Sequence, residues 1–103
     1  MGINVGNGAN AQLIVKGNVT LNSNGFAGMY SFDYSNSNLE IDVENGSTLE
    51  SCGNDDYDIY GQVPASATAT FSGDGSYTCD EAKVVFNGGG TVDEPVCQAC
   101  PSN

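Results

Sequence analysis

The densest chemistry in the chain lies in Asn54-Asp55-Asp56-Tyr57-Asp58, with Tyr60 just beyond. Three carboxylates and an amide so close together could supply hard oxygen ligands to Ca²⁺, which makes Asp55, Asp56 and Asp58 the candidate cation ligands. Their spacing follows neither an EF-hand loop nor the Gly-rich nonapeptide calcium repeats. Tyr57 and Tyr60 offer a second chemistry with Asn54. Aromatic faces beside an amide are what a sugar-binding patch uses, apolar stacking joined to directional hydrogen bonds. The competing structural reading is an exposed acidic turn whose tyrosines pack into the core.

Cys52, Cys79, Cys97 and Cys100 form the other reactive set. An even number of cysteines in a small chain rich in Asn, Ser and Thr favours disulfides and an oxidising compartment. Three pairings are possible. Cys97-Gln98-Ala99-Cys100 has the spacing of a redox or metal motif, but Pro101 follows it and no helix is expected there to lower a thiol pKa. A zinc site would need all four cysteines, because the chain has no His.

Most other catalytic arrangements are excluded by composition, and a carboxylate-based, acidic-site polysaccharide-degrading enzyme is the one enzymatic alternative left. Without His there is no Ser-His or Cys-His dyad, and without Arg there is no bidentate clamp for phosphate or carboxylate. Glu40, Asp42 and Glu44 share one strand face and read as a solvated stripe rather than the cleft-bound carboxylate pair of a glycosidase. Gly88-Gly89-Gly90 lacks the Lys and the helix of a phosphate loop. No catalytic residues are assigned, and a non-enzymatic role is expected. Thirteen Asp and Glu face only Lys16 and Lys83, a formal net charge of −11. That surface repels nucleic-acid phosphates and anionic lipid, and no apolar run reaches membrane-spanning length.

The elements that must position these residues are strands. Leu13, Val15, Val19 and Leu21 share one parity against Lys16, Asn18, Thr20 and Asn22. Leu39, Ile41, Val43 and Leu49 repeat the pattern against Glu40, Asp42 and Glu44, and Ala67, Ala69, Phe71 and Tyr77 repeat it more weakly. A period of two means strands with one buried and one wet face. A second short apolar element follows each time, at 26–32, 57–60 and 84–86, with Met29-Tyr30 and Ile59-Tyr60 in similar places. No helical apolar spacing occurs, and only 80–83 could form a helical turn. Four Asn-Gly pairs (Asn7-Gly8, Asn24-Gly25, Asn45-Gly46, Asn87-Gly88) are expected to supply the positive φ of tight turns.

Stretches 13–31, 39–61 and 67–88 therefore read as copies at an offset of about 28 residues, the mark of a solenoid whose stacked coils bury each other's apolar faces. The expected fold is all-β, a short right-handed parallel β-solenoid of about three coils, with an antiparallel β-sandwich as the alternative. The expected organisation is a cap or severed coil at 1–12, a repeat domain at 13–90 (13–38, 39–66 and 67–90), and a tail with CxxC at 91–103. The offset places Cys79 one residue from the equivalent of Cys52, which favours Cys52–Cys79 and Cys97–Cys100, given a bulge to turn the first two toward each other. The first twelve residues have neither the charged nor the apolar region of a secretory leader, so a mature or excised domain is expected.

LIVKGNVTLNSNGFAGMYSF and LEIDVENGSTLESCGNDDYDIYG together resemble the degenerate repeats of bacterial surface and secreted right-handed β-helix proteins. The likeness covers roughly residues 13–90. Some members of that group look like polysaccharide-lyase scaffolds that have kept calcium and carbohydrate binding, which implies a similar role here. The lyases' basic catalytic residue has no counterpart, since Lys16 and Lys83 are the only cations. The resemblance thus implies an extracellular or cell-surface module that binds glycan or a surface protein, or alternatively a structural spacer. Open coil ends would allow self-association.

Overall fold

The computed structural model describes residues 3–5, 11–32 and 38–101. Asn7-Gly8 lies outside these residues. Among the described residues twelve strands follow one another: β1 (Ile3–Val5), β2 (Ala11–Val15), β3 (Asn18–Thr20), β4 (Ala27–Phe32), β5 (Asn38–Val43), β6 (Thr48–Ser51), β7 (Tyr57–Gln62), β8 (Thr68–Ser72), β9 (Ser76–Cys79), β10 (Val84–Asn87), β11 (Thr91–Asp93) and β12 (Cys97–Gln98). The only helical element among the described residues is a 3-10 turn at Glu81–Lys83, capped by the Asp80 side chain on the Ala82 N–H, at the place the sequence allowed one.

Every third strand joins the same sheet. Sheet 1 has the order β1-β4-β7-β10, sheet 2 the order β11-β8-β5-β2 and sheet 3 the order β12-β9-β6-β3. Among the described residues all strand-to-strand pairings are parallel, and the one antiparallel contact is an isolated bridge between Pro64 and Gly89. The antiparallel sandwich is therefore not the fold. Consecutive strands such as β2 and β3, which share a single parity in the sequence, lie in different sheets because the chain turns at Lys16-Gly17, where Gly17 has φ 86°. The 91–103 segment, read as a tail, contributes β11 and β12 as outer strands of sheets 2 and 3.

The registers align apolar residues into interior rows. Met29, Ile59 and Val84 stack in sheet 1, Leu13, Ile41 and Phe71 in sheet 2, and Val19, Leu49 and Tyr77 in sheet 3. These rows meet in one core that also holds Val15, Leu39, Val43 and Ala69. Tyr77 brings a hydroxyl into it, within 2.8 Å of the Ser72 carbonyl and 3.2 Å of the Ile41 carbonyl, which meets the cost of burying it.

Two details depart from the sequence reading. Gly46 and Gly88 have positive φ, but Gly25 does not; at that corner the left-handed residue is Ser23 (φ 61°). The disulfides are Cys52–Cys100 and Cys79–Cys97, with Cα separations of 5.9 and 5.2 Å, rather than Cys52–Cys79 and Cys97–Cys100. Register gives the reason. Cys79 pairs opposite Ser51, so alternation turns Cys52 away from it, and no bulge reverses this. β12 sets Cys97 opposite Tyr77, on the same parity as Cys79, and the two intervening residues carry Cys100 to Cys52. Disulfides of this kind persist in an oxidising environment. No helix among the described residues is long and apolar enough to cross a membrane.

Candidate functional site

The Asn54 to Tyr60 region lies where β6 gives way to β7, and it divides into a buried polar half and an outer aromatic half. Gly53 (φ 66°) turns the chain, and Asn54 then points inward and is almost fully buried. Its Oδ1 accepts from the Asn24 N–H at 2.8 Å and from Asn24 Nδ2 at 3.1 Å, while its Nδ2 donates to Ser51 Oγ at 3.1 Å and Asp58 Oδ1 at 2.8 Å. Asn24 and Asn54 thus form a rung between equivalent corners. Asp58 has no exposed surface; its Oδ2 accepts from the Asp80 N–H at 2.9 Å, and Ser51 Oγ donates to the Asp58 carbonyl at 2.7 Å. Lys83 Nζ completes the corner by donating to the Asn54 carbonyl at 2.7 Å. Every buried side-chain N or O among the described residues has a partner.

This arrangement removes two candidate residues from any ligand. Asn54 spends its whole amide inside the protein, and Asp58 ties its own corner to the Asp80 N–H of the next turn instead of facing solvent. Asp55 and Asp56 are exposed, so the three carboxylates do not converge. Among the described residues, no group of three acidic or cysteine side chains is placed to hold a metal ion. Sequence could not show this, because a buried Asp-Asn pair and an open acidic turn share the same letters. Gly28 is part of the same packing: a Cβ there would lie 2.0 Å from Ser51 Oγ and 2.7 Å from Asn54 Nδ2.

The tyrosines fare differently. Pairing of β4 with β7 sets Tyr30 opposite Tyr60, and their rings stack at 5.4 Å with planes 16° apart. Met29 and Ile59 anchor the same strands in the core, so alternation sends Tyr30 and Tyr60 to the other face. The Tyr57 N–H donates to the Phe26 carbonyl at 2.9 Å and brings Phe26 alongside. Phe26 meets Tyr57 and Tyr60 edge-on at 5.4 and 5.7 Å and Tyr30 at 5.5 Å. Tyr57 and Tyr60 approach to 4.6 Å. Tyr60 is buried beneath its neighbours, Tyr57 and Tyr30 are half-buried, and Phe26 is 41% exposed at the top of the cluster. Gln62 Nε2 donates to Tyr60 Oη at 2.8 Å and fixes that hydroxyl at the edge of the group.

Phe26 and Tyr30 escaped the sequence-based candidate set. The signal for Tyr30 was its position relative to Ile59-Tyr60. For Phe26 nothing in its immediate neighbours marked it; only the cross-strand pairing does. No protein-family model matches this chain, and no curated protein or solved structure matches it significantly. The reading of the site therefore rests on its own geometry.

The outward rows of the other two sheets are largely polar, with Ile14 the exposed apolar residue of sheet 2. Sheet 2 presents Gln12, Glu40, Thr70 and Asp93 in register, with Gln12 donating to Glu40. Sheet 3 presents Thr20, Glu50, Thr78 and Gln98, and Asn22 donates to Glu50 at 2.6 Å. Asp42, Glu44 and Asp74 line a shallow open recess beside Asn45 and Ser72. Glu40, Asp42 and Glu44 thus stand on an open face, as a solvated stripe does. The aromatic cluster is the one place among the described residues where several rings in mutual contact reach the surface.

Proposed function

We propose that this chain is a short right-handed β-solenoid that serves as an extracellular, non-enzymatic surface module and binds glycan through the aromatic cluster of sheet 1. The carrying observation is Phe26, open to solvent and backed by Tyr30, Tyr57 and Tyr60. A sugar ring has apolar C–H faces and a hydroxyl rim; an exposed aromatic ring takes the first, and tyrosine hydroxyls and Gln62 take the second. Backing rings hold Phe26 in place before binding, which lowers the ordering cost of recognition. The solenoid reading is supported by the return of every third strand to the same sheet, and the right hand by the strong preference of parallel crossovers. Two disulfides and the resemblance to bacterial surface repeats support the location.

A polysaccharide panel with and without Ca²⁺, read by binding and by melting temperature, tests this. Retention on at least one polymer is expected, with Phe26→Ala weakening it about tenfold, on the order of 1.4 kcal/mol. No binding under either condition, with an unchanged melting temperature, contradicts the proposal. A second reading, a spacer within a longer surface protein, is favoured by the edge strands: β1, β2 and β3 at one end of the sheets and β10, β11 and β12 at the other could each continue a stack. It predicts concentration-dependent end-to-end association in light scattering and no glycan binding.

A further inference from the structure

Charge at the rim of the aromatic cluster narrows the ligand. The Asp55 N–H donates to the Asn24 carbonyl at 3.0 Å and the Tyr57 N–H to the Phe26 carbonyl at 2.9 Å, so the 55–57 segment runs beside 24–26 and Asp55 and Asp56 flank exposed Phe26. Both aspartates are exposed. Across the same corner the 3-10 turn adds exposed Asp80 and Glu81, while Asp58 is buried and bonded. Lys83 is the one cation here, and its ammonium is engaged by the Asn54 carbonyl at 2.7 Å. Lys16 lies at a different corner, between β2 and β3, and the chain has neither Arg nor His.

We infer that the aromatic cluster takes an amino sugar with a free, protonated amine in preference to a neutral or a carboxylated one, an inference that rests on the glycan-binding reading. An ammonium group gains twice at this surface: from the negative faces of the rings and from carboxylates within a screening length. A neutral sugar keeps the stacking and lacks both gains. A uronate meets the carboxylates of Asp55, Asp56, Asp80 and Glu81, with no guanidinium to receive it and only Lys83, tied to the Asn54 carbonyl, as a cation. The net charge of −11 adds long-range attraction for a cationic chain, which raises encounter rates without creating specificity.

Calorimetric titration of the whole chain with matched β-1,4-linked tetrasaccharides of glucosamine, glucose, N-acetylglucosamine and glucuronic acid separates these contributions. The glucosamine oligomer is expected to bind about tenfold more tightly than the glucose and N-acetylglucosamine oligomers, with no binding of the glucuronate. Asp55→Asn/Asp56→Asn should remove most of the preference for glucosamine over glucose, while Glu44→Gln/Glu94→Gln, which removes the same charge from exposed positions elsewhere, should leave the preference intact. Phe26→Ala should weaken glucosamine and glucose alike, with circular dichroism confirming that each variant is folded. Equal losses in the two charge variants would mean attraction to the whole surface and overturn the inference. Equal binding of glucosamine and glucose by the parent chain would overturn it too, yet leave the glycan reading standing. Failure of every oligomer to bind the folded chain would remove both.

Discussion

Ser23 occupies a left-handed backbone position (φ 61°) that the equivalent corner of the next turn gives to Gly53 (φ 66°). A left-handed non-glycine residue costs roughly 1–2 kcal/mol, and the extra unfolded-state freedom of glycine costs roughly 0.4–1 kcal/mol. Ser23→Gly should therefore raise stability by about 0.5–1 kcal/mol in denaturant titration; a loss would mean the hydroxyl is holding the corner. Tyr77 supplies a pH test. Burial pushes its pKa up to about 12, with the nearby Asp42 carboxylate adding to the rise. The native state thus favours the protonated phenol, a contribution complete below pH 10 and lost as pH climbs toward about 12. Tyr77→Phe should flatten that part of the stability profile. At this scale the sequence was least readable. Tyr57 and Asp58 are adjacent, yet one joins an outer aromatic cluster and the other is sealed inside, and only the direction of the chain at the corner decides between them.

The strands were legible because alternation of apolar and polar residues is a local property. Leu39, Ile41 and Val43 face the core and Glu40 faces out, as the pattern requires. What joins one strand to another was harder. The turn at Lys16-Gly17 preserves parity, so β2 and β3 read as one strand, and the disulfide partners depended on a register that a single residue could reverse. The corner between β6 and β7 is held by Asn54, whose amide makes four hydrogen bonds. Asn54→Ala strands the Asn24 N–H and deprives Asp58 of its side-chain donor, and should cost about 3 kcal/mol in chemical denaturation. Gly28→Ala should be similarly harmful, because its new methyl would collide with Ser51 and Asn54. Full stability in both variants would show that the corner is softer than its bonding implies.

Three parallel sheets, each gathering every third strand, make a molecule in which nearly all contacts join neighbouring turns of chain. The recurring alternation of apolar and polar residues made all-β structure readable from sequence, whereas the last turn was obscured by its short strands β11 and β12. That turn is tied down covalently. Cys79–Cys97 closes a separation of 18 residues and Cys52–Cys100 one of 48. Loop-closure entropy puts their contributions at about 3 and about 4 kcal/mol. Reduction should lower the melting temperature and increase hydrogen exchange first in β11 and β12, while exchange in β5 and β8 stays slow; simultaneous loss across all sheets would mean the end is not a separate unit. The aromatic cluster belongs to this scale as well, since it exists only where β4 and β7 are paired in parallel. The central claim is that this cluster is the ligand face, and NMR titration of the chain with a soluble oligosaccharide that it binds tests it most directly. The ring resonances of Phe26, Tyr30 and Tyr57 should shift together and saturate with the binding curve, with Gln62 following; shifts confined to the polar faces of sheets 2 and 3 would contradict the account.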